Sequence, residues 1–117
     1  MTIAHHFSDG VYAKEIRIPA GEEVLKHRHE NYSHLSILAV GIVDLYRMDM
    51  FKDAEVVRLE APYCLTIPKG EHHRIVAITD SVWYCIHPTE EKDANNIDSV
   101  LVSKPDFRQV ALLMKGG

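Results

Sequence analysis

Two cysteines, Cys64 and Cys85, are the only thiols in 117 residues. Each lies in an apolar, strand-like run, which reads as a pair of buried free thiols in a reducing compartment rather than a disulfide scaffold. A bridge would need the two strands to be neighbours, and sequence leaves that open. Basic charge is not in excess either. Lys and Arg number 13 against 17 Asp and Glu, a formal net charge of −4, so there is no electrostatic footprint for nucleic acid or an anionic membrane. No apolar run approaches membrane-spanning length, and MTIAHHFSDG lacks the basic and apolar regions of a secretory signal. The expected compartment is the cytoplasm. Internal repeats, low-complexity tracts and linkers are also missing, so residues 1–117 read as one domain.

Histidine, by contrast, is plentiful, with eight residues. Three of them fall in GEEVLKHRHENYSHLSILAVG, residues Gly21 to Gly41. Side chains two apart on a strand share a face, so His27 and His29 can aim two imidazoles at one point. The four residues that follow suffice for a tight turn, and a returning strand could bring His34 beside them. A fourth candidate, His73, comes later in IPKGEHH. Imidazole is the commonest protein ligand for transition metals, and several convergent imidazoles imply a cation. His5 and His6 are adjacent, hence on opposite faces of any strand, and read as solvated surface histidines. His72 should likewise face away from His73.

Taken in order, residues 2 to 9 form a weak segment. Val11 to Ile18 reads as a strand ending at the turn Pro19-Ala20-Gly21. Val24 to His29 is the first ligand strand and Glu30 to Ser33 its turn. His34 to Val40, Ile42 to Met48, Glu55 to Leu59, Tyr63 to Ile67, Arg74 to Ile78 and Val82 to His87 are further β-branched and aromatic runs. Gly, Pro or Asp divides most of them, and Lys52 to Ala54 is a hairpin loop. Short strands at this spacing predict an all-β sandwich or barrel. The tail differs: Pro105 to Met114 has apolar residues at helical spacing, with Pro105 suited to the first turn and Gly116-Gly117 to the stop.

Gly21, His27, His29, His34 and Gly41 stand at the intervals of the first cupin motif, and Pro68, Gly70 and His73 match Pro-x-Gly-x-x-His of the second. Over roughly residues 10 to 90 the chain therefore resembles the cupin superfamily. His34 stands where that family usually has a glutamate, Pro62 where the second motif usually opens with Gly, and Ala77 where it often closes with Asn. The resemblance implies a double-stranded β-helix, or jelly-roll, barrel with a short helix at about 105–115. It also implies one divalent transition metal (iron, manganese, nickel, cobalt, copper or zinc) on His27, His29, His34 and His73.

Four neutral ligands leave the full divalent charge on the ion, which lowers the pKa of bound water and favours anionic chelating molecules. An octahedral ion held in this way keeps two positions open for them. The first functional expectation is therefore an oxygenase of a small anionic or chelating molecule, resembling the all-histidine cupin dioxygenases. A non-oxidative lyase or isomerase and a non-catalytic ligand-binding module are the alternatives. Turnover needs an acid or base beyond the ligands, and the candidates are Tyr32, His87, Glu30 and Glu71. The parity of His87 leaves pocket and solvent equally open. Trp83 and Phe51 read as core or interface. Phe107, Val110, Leu113 and Met114 gather on one helical stripe that needs cover. Small cupins are commonly dimers, so a two-fold homodimer with an apolar interface is expected.

Overall fold

The computed structural model describes residues 1–26, 33–48, 55–68 and 71–89. Nine strands carry them: β1 (Thr2–Ser8), β2 (Val11–Ile18), β3 (Glu23–Lys26), β4 (His34–Val40), β5 (Ile42–Met48), β6 (Glu55–Glu60), β7 (Tyr63–Ile67), β8 (His72–Ala77) and β9 (Ser81–Pro88). They form two antiparallel sheets, one in the order β1-β2-β9-β4-β7 and the other β3-β8-β5-β6. The described residues are all-β, and their two packed sheets make the jelly-roll expected from the strand spacing. The expected helix at 105–115 and the loop at 52–54 lie outside the described residues.

Alternation decides which residues face inward. On β2 the even positions Tyr12, Ile16 and Ile18 are at most 1% exposed, and on β9 Trp83 and Cys85 are buried likewise. The second sheet answers with Val24, Val43, Leu45, Ile75 and Ala77. Burying these side chains is the main stabilising term, at about 25 cal/mol per Å² of apolar surface removed from water.

Residues 2 to 9, read as weak, form a strand as far as Ser8. β1 pairs with β2 from Thr2 opposite Arg17 to Ser8 opposite Val11. Its inward set, Ile3, His5 and Phe7, is diluted by a histidine, which hid the alternation. The adjacent histidines do face opposite ways. Nδ1 of His5 is 2.6 Å from the Tyr12 hydroxyl, whereas Nε2 of His6 is 3.3 Å from Glu15 Oε1.

Both cysteines are free, but only Cys85 is buried; Cys64 is exposed. The expectation of two buried thiols fails for Cys64 because β7 is an edge strand and the residue points outward from it. β4 lies between β7 and β9, with Ile37 opposite Cys64 and Ser36 opposite Cys85. The two thiols thus occupy opposite faces of separated strands, which rules out the bridge.

Two glycines hold the turns that set the strand ends. Gly21 has φ of +85°, and its amide donates to the Ala77 carbonyl at 2.8 Å. Gly41 has φ of +95°, and a Cβ there would meet the Ser81 hydroxyl and come within 2.5 Å of the Asp80 carbonyl oxygen. Gly41 is therefore required twice over, by conformation and by space.

Candidate metal centre

One end of the sandwich gathers the polar interior. β4 begins there at His34, β9 arrives there at His87, and β8 leaves there past His72 and His73. His34 is 3% exposed, His73 fully buried and His87 2% exposed. His34 and His73 come from opposite sheets, yet their ring centroids are 6.3 Å apart with planes 34° apart. His34 and His87 sit on neighbouring strands with centroids 4.5 Å apart and planes inclined by 28°.

These two relationships have different chemical uses. Imidazoles that share an ion place one nitrogen each about 2.0–2.1 Å from it, with the ring centres further out. A 6.3 Å separation across the gap between sheets is compatible with that. His34 and His87 are stacked face to face, so the lone pairs in their ring planes run alongside one another instead of converging. His87 is a wall of the site rather than a partner ligand of His34. Among the described residues, no group of three or more His, Cys, Asp or Glu has the arrangement to hold an ion.

The other two ligands expected from sequence, His27 and His29, lie outside the described residues, as do Tyr32 and Glu30. The chain leaves β3 at Lys26, whose register partner is His73, and is described again from Ser33, next to His34. The described structure thus brings together His34, His73 and His87.

The stack continues beyond His87. Tyr12, fully buried, stacks on it at 6.0 Å, and His5 stacks on Tyr12 at 5.8 Å. A ladder of near-parallel rings therefore crosses β1, β2, β9 and β4 on the inner face. The sequence reading missed Tyr12. Its position two residues before Lys14 in an alternating strand was the available signal, but without the register nothing tied it to His87.

Glu71 is committed elsewhere. Nε of Arg47 donates to its Oε1 at 2.7 Å, and Nη2 donates to Oε2 at 3.3 Å. The hydrogen bond to Glu71 holds the Arg47 guanidinium above its ordinary pKa. Both carboxylate oxygens of Glu71 are thus taken by the Arg47 guanidinium. His72, expected to face away from His73, is half-buried, and Trp83 is core.

Beside these histidines lies a cavity of about 330 Å³, lined by Gly10, Val11, Ser33, His34, Leu35, Thr66, Ile86, His87 and Pro88. Nearly all of these residues sit at the same ends of β2, β4, β7 and β9, the end at which the histidine layer lies. Among the described residues no helix is long and apolar enough to cross a membrane.

No protein-family model and no curated protein sequence matches the chain. Solved structures do. A cupin-2 domain protein from Shewanella frigidimarina shares 19% identity at a TM-score of 0.57, over 75% of this chain and 80% of that one. KdgF from Halomonas sp. gives 18% and 0.58, over 75% and 77%. Drosophila melanogaster CENP-C, in a structure bound to CAL1, gives 12% and 0.55, over 71% and 79%. At these identities the likeness is one of fold, and the fold is the cupin fold.

Proposed function

We propose that this chain is a metal-dependent cupin whose single divalent transition-metal ion is held by His27, His29, His34 and His73, and that it acts on a small anionic or chelating organic molecule. The observation that carries the reading is the meeting of His34 and His73, buried and 6.3 Å apart, from two different sheets. Imidazoles that meet from two sheets can each turn one ring nitrogen to a single ion. The softness of the donor set suits iron, manganese, nickel, cobalt, copper or zinc.

When bound, the ion would supply a Lewis acid that polarises an oxygen of the bound molecule. The chain's own residues do the rest. His34 is kept in place by stacking against His87, which limits rotation of its ring. Leu35, Ile86 and Val11, on the outer face of the same sheet, give the cavity beside the histidines apolar lining. The reaction proposed first is oxygenation, with His87 and Tyr32 as candidate acid–base groups. An oxygen-uptake screen of metal-loaded protein on small diketones, thiols and catechols tests it. Substrate-dependent uptake supports oxygenation, and consumption of substrate without uptake points to the lyase or isomerase reading.

Drosophila CENP-C, which shares the fold, was solved bound to CAL1. Binding without turnover is therefore the second reading. The two free cysteines suit the reducing cytoplasm. We also propose a two-fold homodimer. Val56, Val40, Leu35 and Tyr63 are 46–53% exposed, and edge strands invite pairing.

A further inference from the structure

The two sheets differ on their outer faces. Outward positions of the four-stranded sheet carry Glu23, Asp44, Arg58 and Arg74, paired across strands. Nε of Arg58 donates to Asp44 Oδ1 at 2.8 Å, and Arg74 Nη1 lies 3.6 Å from Glu23 Oε2. That is the polar half of the alternation a sheet shows when one face meets water. The five-stranded sheet departs from it. Rows Ile86-Leu35-Thr66 and Tyr84-Ile37-Cys64 cross β9, β4 and β7 on the outer face without a charge. The charged Glu15 and Arg17 of this face lie on β2, with Arg17 Nε donating to Glu15 Oε2 at 2.9 Å. A central pair of strands that is apolar on both faces expects cover on both.

The cavity of about 330 Å³ lies on this face. Every residue that lines it belongs to a strand of the five-stranded sheet or adjoins one. One sheet therefore supplies its floor, and among the described residues none from the other sheet supplies the opposite wall. Within the single chain Leu35 and Val40 stay 46% and 53% exposed, so their cover must come from outside it. β2, β9, β4 and β7, about 4.8 Å apart and rising about 3.4 Å per residue, present a face of roughly 20 by 20 Å in projection. Its side-chain-covered surface is larger, on the order of the 800 Å² per partner of a standard interface. A two-fold contact sets one patch against itself. An uncharged patch does so without like-charge repulsion, which matters for a chain of net charge −4.

We propose that the outer face of β9, β4 and β7 is the contact surface of the two-fold dimer, with Ile37 and Tyr84 near its centre. The second copy then supplies the wall that the cavity lacks, so the cavity is complete only in the dimer. This rests on the homodimer proposed above and adds its face and its link to the cavity.

The test is light scattering of the full chain at micromolar concentration, with Ile37→Arg and Leu35→Lys on this face and Val56→Lys on the other sheet. Wild type and Val56→Lys should have the dimer mass. Ile37→Arg and Leu35→Lys should keep the β-sheet circular dichroism and raise the dimer Kd at least about thirtyfold, the scale of a hot-spot residue. A dimeric wild type whose two face variants stay dimeric overturns this interface and leaves the dimer standing. A monomeric wild type overturns both. If Ile37→Arg does not fold, Leu35→Lys, at a half-exposed position, decides. The cavity has its own readout in Thr66→Cys, made with Cys64→Ser. Alkylation of that thiol should be severalfold slower in the dimer than after dilution below the Kd. A rate that ignores concentration overturns the partner as the cavity's wall.

Discussion

His34 on β4 and His87 on β9 stack with ring centroids 4.5 Å apart, and His34 also faces His73 across the sandwich. This gives the two histidines different tasks. Replacing His34 should remove a ligand, whereas replacing His87 should loosen one. His87→Phe keeps the stacking surface and should retain the metal. His34→Phe should lower metal affinity by at least about tenfold, the lower end of what even an outer partner of a ligand is worth. Competition with a chromophoric chelator measures both.

Acid should strip the ion. Imidazole ligates only when neutral, so protons compete near the unperturbed pKa of about 6.5. Several histidines titrating together make metal retention fall steeply through that region or somewhat below it. Stabilisation of the folded state by the ion falls with it. The difference in melting temperature between holo and apo protein, followed from pH 7.5 to 5 (a range set for this test), should shrink toward zero. A flat difference would exclude histidine ligation.

Glu15 should contribute to the acid limb independently of any metal. The Tyr84 hydroxyl donates to its Oε1 at 2.7 Å and Arg17 Nε to its Oε2 at 2.9 Å. These bonds, that from Tyr84 first, hold its carboxyl below the usual range. A depressed folded pKa means stability that is present above the unfolded value and lost as pH falls through the folded one. Glu15→Gln should therefore melt below wild type at pH 7, and the gap should close below the ordinary glutamate pKa of about 4.3. Thermal melts across that range check it.

Gly41 and Gly21 separate strain from crowding. Both have positive φ, but a Cβ at Gly21 would meet nothing within 4 Å, whereas one at Gly41 would run into Asp80 and Ser81. Gly21→Ala should lose about 1 kcal/mol from conformation. Gly41→Ala should lose more, about 2–4 kcal/mol. Urea midpoints of the two variants give the comparison directly.

The strands were legible because apolar and polar residues alternate. β2, β4, β5 and β7 run as their hydrophobic pattern predicts, and Gly41 marks the break between β4 and β5. What could not be read was anything that depends on pairing across strands. The inward turn of His87, the placement of Tyr12 against it and the burial of Lys14 follow from the β2–β9 and β4–β9 registers. A single sequence contains no record of those registers. His34 and His73 stood out as candidate ligands because their spacing resembles two motifs, and the structure brings their rings to within 6.3 Å of each other. The face of β7 that leaves Cys64 in solvent was not, because an edge strand and a central one look alike in composition.

The assembly has its own test. Light scattering at micromolar concentration should report twice the chain mass of 13.3 kDa. A mass near 13.3 kDa would end the dimer proposal.

The most direct test of the metal site is elemental analysis of purified protein together with its His73→Ala and His34→Ala variants. Wild type should carry about one divalent transition metal per chain. Each variant should lose most of it while keeping the β-sheet circular dichroism of the wild type. Wild type that stays metal-free after incubation with each candidate ion, or variants that hold metal as well as wild type, would contradict the histidine-centred site.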